Sequence, residues 1–141
     1  MIGLDQYLVA DIHSKETNNL TGACGGLFPM APKSDKTEVG YWRKHYALDR
    51  LVKEIKDFSD DEWDTMNCKD VMLTEKNCRS ILSYAQEEMQ EMESWYDDNI
   101  EELMDSNDGW DYSKWSKTVE IMEKALRLIE LGGKIYYKYW R

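Results

Sequence analysis

The hydrophobic pattern of the chain changes period several times, and each change marks an element. Leu4, Leu8, Ala10 and Ile12 alternate with Asp5, Tyr7, Val9 and Asp11, a period of two that predicts a half-buried strand from about 3 to 13. Residues 14–37 interrupt the pattern with three Gly, two Pro and many small polar residues, which predicts a long flexible loop. Thr37 is then placed to cap a helix with Gly40 in its first turn. Tyr41, His45, Leu48, Leu51, Val52, Ile55 and Phe58 recur at three- and four-residue steps, one stripe of a helix to about 58, while Arg43, Lys44, Arg50, Lys53 and Lys56 take the other face. Ser59 followed by Asp60, Asp61 and Glu62 predicts a short capped helical turn around Trp63.

The apolar run at 70–73 reads as a short strand, and Thr74 caps a second helix with Cys78, Ile81, Leu82, Ala85, Met89, Met92 and Tyr96 at helical spacing. That helix either continues through Ile100 and Leu103 to Met104 or breaks near Trp95, and Asn107 and Gly109 end it. Asp111 or Ser113 starts a third helix, with Trp115, Val119, Met122, Leu126 and Ile129 on one face and Gly132-Gly133 as its stop. The aromatic tail KIYYKYWR alternates and predicts a terminal strand paired with the N-terminal one. The expected fold is α+β: a single domain over 1–141, with three main helices packed on a small sheet formed by the N- and C-terminal strands.

Composition adds two constraints. Six Trp and nine Tyr are many for 141 residues, so some aromatics are expected to serve a surface rather than the core. Cys24, Cys68 and Cys78 are odd in number and lack metal-ligand spacing, which reads as free thiols in a reducing compartment. No apolar run approaches the ~18 residues of a membrane span. The opening MIGLDQYL puts acid rather than base ahead of its apolar residues, unlike a signal peptide.

Charge changes the picture most. From Ser80 to Ser113 there are eleven Asp and Glu and no Lys or Arg, so this quarter of the chain holds the entire net charge of −10. A pI near 4.7 argues against direct nucleic-acid binding and permits a basic partner instead. On one continuous helix, Glu87/Glu91, Glu93/Asp97, Asp97/Glu101, Asp98/Glu102 and Glu101/Asp105 would be like charges four apart, each destabilising by roughly 0.2–0.5 kcal/mol. Stability alone does not choose that arrangement. Either the acids solvate this face or pair with Lys114, Lys117, Lys124, Arg127 and bases of the first helix, or they form a docking surface with aromatic anchors. The residues of that surface are Glu91, Trp95, Tyr96, Asp97, Asp98, Glu101, Glu102, Asp105 and Trp110. Carboxylates one helical turn apart also approximate the spacing of phosphates, so imitation of nucleic acid is a specific version.

Site motifs are scarce. GACGG at 22–26 lacks the Gly-Lys-Ser/Thr ending of a phosphate-binding loop. His13 and His45 are the only histidines, and His45, on the apolar stripe, reads as a packed, hydrogen-bonded side chain. An EF-hand loop begun at Asp105 would need glycine where Trp110 stands and glutamate where Ser116 stands, so Asp105, Asp108 and Asp111 are left as at most a weak cation site. No catalytic residue, metal site or cofactor is assigned.

MIGLDQYL and EVGYWRKHYALDRLV (38–52) resemble segments of a group of small, mostly phage-encoded uncharacterised proteins, in which a Gly-Leu-Asp-x-Tyr-Leu opening precedes a Glu-Val-x-Tyr-Trp-Arg-Lys segment. Gly3, Leu4, Asp5, Tyr7 and Leu8 match the first motif; Glu38, Val39, Tyr41, Trp42, Arg43 and Lys44 match the second. DVMLTEKNCRSIL (70–82) is similar to their strand-then-helix segment, whereas the acidic region matches nothing in the group. The resemblance implies a viral origin and action in the cytoplasm of a bacterial host, and carries no activity. In the YWRK segment, Arg43 is expected to stack on an aromatic and pair with Asp5 or Glu38.

Two functional expectations follow. The first is a non-enzymatic, phage-encoded interaction protein that binds a basic host protein through the acidic aromatic region and inhibits it. The alternative is a small nucleotide-binding protein or enzyme with its site between the 22–29 loop and Tyr41, Trp42, Arg43 and His45.

Overall fold

The computed structural model describes residues 3–11 and 36–141. Strand β1 (Asp5–Asp11) is central and antiparallel to both neighbours, β2 (Lys36–Arg43) on one side and β4 (Lys134–Trp140) on the other. Strand β3 (Val71–Leu73) pairs with β4, which gives the order β2-β1-β4-β3. The predicted alternation is realised: Leu4, Leu8 and Ala10 are buried while Asp5, Tyr7 and Val9 are half-exposed. The aromatic tail follows the same rule, with Ile135, Tyr137 and Tyr139 inside.

Five helices follow among the described residues: α1 (Tyr46–Ile55), α2 (Asp60–Thr65), α3 (Glu75–Trp95), α4 (Ile100–Asp105) and α5 (Gly109–Glu130). The fold is therefore α+β, with α1, α3 and α5 as the three main helices. Ser59 and Thr74 cap α2 and α3 as their sequences predict, each accepting from the backbone N–H three residues on while Glu62 or Asn77 reaches back. At the end of α5, Gly132 takes φ +93°, and the N–H groups of Gly132 and Gly133 bond back to Ile129 and Leu128, the double hydrogen bond that closes a helix on a left-handed glycine.

Several expectations need correction. Residues 37–43 form β2, not the start of a helix, and α1 begins only at Tyr46. Val39, Tyr41 and Trp42 suit a pleated edge, and Gly40 is required there because a Cβ would lie 2.4 Å from the Ile121 side chain of α5. The helical spacing of Tyr41 with His45 is thus coincidental. The register slips between Leu8 and Val9, leaving Val39 as the extra residue of a bulge. Helix α5 starts at Gly109, ahead of both predicted starts, because the Asp111 and Ser113 side chains are not needed to begin it. The predicted loop at 14–37 lies outside the described residues except for Lys36 and Thr37, which belong to β2. The 22–29 loop, Cys24 and His13 also lie outside them.

A main core joins the inner sheet face to α1, α3 and α5, through Leu48, Val52, Cys78, Ile81, Met122 and Ala125. Against it sits a polar knot that sequence patterning does not reveal. Asp49, 3% exposed, accepts hydrogen bonds from Trp63 Nε1 (2.9 Å), the Tyr137 hydroxyl (2.7 Å) and Arg141 Nη2 (2.8 Å). Gln6, buried in β1, donates to the Tyr137 hydroxyl and to the carbonyl of His45 and accepts from the His45 N–H. Three donors keep the Asp49 carboxylate satisfied away from water. A second, smaller core of Ala85, Met92, Leu103 and Trp115 holds the far end of α3 against α4 and α5.

Candidate functional site

The acidic region is built by a helix break. Of the two continuations open to α3, the chain takes the break: Asp97 and Asp98 adopt left-handed backbone at φ 51° and 62°, and the Asp98 N–H closes on the Glu93 carbonyl at 2.8 Å. Asn99 then caps α4 by accepting from the Glu102 N–H at 3.2 Å. This brings Leu103 under Met92 and Trp115 in the second core and turns the carboxylates outward. The like-charge pairs that span 93–102 therefore do not sit four apart on one helix; only Glu87/Glu91 in α3 and Glu101/Asp105 in α4 do.

Glu91, Asp97, Asp98, Glu101, Glu102 and Asp105 are all exposed. Trp95, at the end of α3, is 60% exposed, and Ile100 and Met104 are also open to solvent. Ion pairs among the described residues join Lys36 to Asp70, Lys53 to Asp60, Arg79 to Glu75, and Arg141 to Asp49 and Asp64; none includes a carboxylate of 87–111. The internal pairing of these acids with Lys114, Lys117, Lys124 and Arg127 is not formed. Lys114 instead donates to the Lys44 carbonyl at 2.7 Å, and Lys117 lies over the Tyr41 ring at 5.6 Å.

Two predicted anchors have other roles. Tyr96 is half-buried against the second core, and its hydroxyl donates to Asp108 at 2.8 Å. The neighbouring Tyr112 hydroxyl donates to Glu93 at 2.5 Å; that bond, then burial and the Glu93 charge, push Tyr112 up to about 12. Trp110 is 69% exposed but belongs to a different wall. With Tyr41, Trp42, Arg43, Lys44, Ser113, Lys114 and Lys117 it lines a cleft of about 400 Å³ at the β2 edge of the sheet. Arg43 forms neither predicted ion pair among the described residues, and Asp5 accepts instead from the Tyr41 hydroxyl at 2.7 Å. Trp42 is the buried floor, its Nε1 donating to Thr118 at 2.9 Å.

His45 does not share that cleft. It lines a second one, about 360 Å³, with Lys44, Glu88, Met92, Trp95, Asp108, Asp111 and Lys114. Its ring meets Trp115 edge-on at 4.4 Å, and Nε2 is buried without the hydrogen-bond partner the sequence reading expected. Burial, and secondarily the Lys114 charge, lower His45 from 6.5 to about 3, so the imidazole is neutral at physiological pH. Burial, with the charge of Glu75, pushes the Cys78 thiol up to about 12. A depression of about 540 Å³ runs along α3 alone and is lined by no second element among the described residues. Among the described residues no cluster of His, Cys, Asp and Glu is arranged to hold a metal, Asp105, Asp108 and Asp111 included.

The nucleotide-site expectation thus divides. Tyr41, Trp42 and Arg43 come together, His45 does not join them, and the 22–29 loop lies outside the described residues. Sequence reasoning missed Lys44, Ser113, Lys114 and Lys117 as their companions. The available signal was the return of lysines three apart as soon as the acid run ends, on the first turns of α5.

No helix among the described residues is long and apolar enough to cross a membrane. Compared with protein-family models, curated proteins and solved structures, the chain matches none of them.

Proposed function

We propose that the protein is a non-enzymatic interaction protein that docks a basic partner protein on the acidic face of α3 and α4. One observation carries the reading: Glu91, Asp97, Asp98, Glu101, Glu102 and Asp105 are solvent-exposed and free of ion pairs among the described residues, in the same stretch of chain as the exposed Trp95. Charge of one sign around an aromatic anchor accelerates encounter with a basic surface, and burial of the ring then retains it. Ile100 and Met104 extend the apolar part of the contact. The partner is a host protein whose basic surface ordinarily meets nucleic acid, and occupying that surface inhibits it. The resemblance to phage-encoded proteins supports an action in the cytoplasm of a bacterial host.

The test is affinity capture from bacterial lysate with the wild type, an Asp97→Asn/Asp98→Asn/Glu101→Gln/Glu102→Gln variant and a Trp95→Ala variant, followed by titration of the captured protein. The expected result is a basic partner whose affinity falls at least about tenfold in either variant and falls steeply with salt for the wild type. A partner set indifferent to both variants and to salt overturns the reading.

A further inference from the structure

We infer that the cleft between β2 and the first turns of α5 is a binding site for a mononucleotide, with Arg43, Lys44, Lys114 and Lys117 holding the phosphate and the exposed Trp110 receiving the base. The site is independent of the acidic face and of the partner proposed for it. In a chain of net charge −10, this wall carries, among the described residues, four cations and no carboxylate. Cations gathered without counter-charge are a cost that an anion removes. Lys114 sits within this cluster: chiefly burial lowers it from the usual lysine range, Asp111 partly offsets this, and the Lys44 charge adds a smaller lowering.

The backbone has been shaped to make the cluster. Lys44 holds a left-handed φ of 57°, its N–H bonded to the Leu4 carbonyl at 2.7 Å and its own carbonyl to Lys114 Nζ at 2.7 Å. A lysine in that region is strained, and such strain concentrates where a site is assembled. Trp110, Ser113, Lys114 and Lys117 lie on the first turns of a 22-residue helix, whose dipole adds positive potential at this end.

The aromatic walls narrow the ligand. Inorganic phosphate would leave the Trp110 face in water, whereas a nucleobase covers it. Lys114 already sits 5.1 Å from the centre of that ring, so phosphate and base positions are adjacent. A cleft of about 400 Å³ suits one nucleotide. A longer polyanion would run on toward Asp108 and Asp111, which line the cleft on the far side of Lys44 and Lys114.

Calorimetric titration with adenosine and guanosine monophosphate tests the site, with adenosine, inorganic phosphate and a thymidine oligonucleotide as comparisons. The expected result is saturable one-to-one binding of a monophosphate, at least about tenfold tighter than nucleoside or phosphate alone, and weakened about tenfold by Trp110→Ala and by Lys117→Gln. Both replaced side chains are exposed, so unchanged melting temperatures certify the folded variants. Absence of saturable binding overturns the proposal, as do affinities that neither variant moves. An oligonucleotide bound more tightly than any monophosphate overturns it in favour of a single-strand site.

Discussion

The imidazole of His45 is neutral because it is 3% exposed and has no acceptor to share a proton with, and that gives it a pH signature. Its pKa falls from 6.5 in the unfolded chain to about 3 in the fold, so between those values the unfolded state binds the extra proton. Stability must then drop as pH falls below 6.5, with no further loss from this group below about 3. Between about pH 7 and about pH 5.5, where ordinary carboxylates are still ionised, the loss from His45 is about 1 kcal/mol. Chemical denaturation at the two pH values should reveal that loss in the wild type and a flatter dependence in His45→Gln. Equal slopes would show that the imidazole is not held neutral. Asp49 is the opposite case at this scale: it is as deeply buried, but three donors reach it, so its side-chain oxygens are hydrogen-bonded away from water.

At the scale of elements, the seam between β2 and α5 is the tightest contact described. A Cβ on Gly40 would meet Ile121 Cδ1, Cγ1 and Cγ2 at 2.4, 2.6 and 2.7 Å. Ile121 is buried and branched, so it has little freedom to move aside. Gly40→Ala is predicted to destabilise by about 1–3 kcal/mol, and Ile121→Ala to absorb most of that added cost when the two are combined. A double-mutant cycle by denaturant titration measures the coupling. Strictly additive costs would mean that the seam accommodates a methyl group by shifting elsewhere. The same seam carries the basic cleft, so loosening it should also weaken nucleotide binding there.

For the whole molecule, the decisive quantity is the separation of charge. The net charge of −10 lies in about one quarter of the chain, mostly exposed and without ion pairs among the described residues, so it repels itself in the folded state. Added salt should raise the melting temperature of the wild type by screening that repulsion. The Asp97→Asn/Asp98→Asn/Glu101→Gln/Glu102→Gln variant should melt higher at low salt and respond less to salt. A variant that melts lower would show that these acids stabilise the fold, and the argument that they serve a partner would lose its basis.

Local pattern was enough for much of this architecture. The terminal strands, the caps at Ser59 and Thr74, the glycine stop after α5 and the single acidic block are all properties of neighbouring residues, whose periodicity and hydrogen-bonding groups act within a turn or a pleat. The YWRK segment was misread as helix because its spacing fits both periods. Only contact with Ile121, sequence-distant and on another element, admits glycine and strand at residue 40. The break after Trp95 was likewise undecided by spacing, since Ile100 and Leu103 stay in helical phase, and burial of Leu103 against Met92 and Trp115 selects it. Tertiary structure alone decided how the charges are used. Whether a lysine of α5 meets an acid of α4 or the edge of β2 depends on how helices and sheet pack, and the fold turns Lys114 and Lys117 to β2 and leaves the acids to solvent.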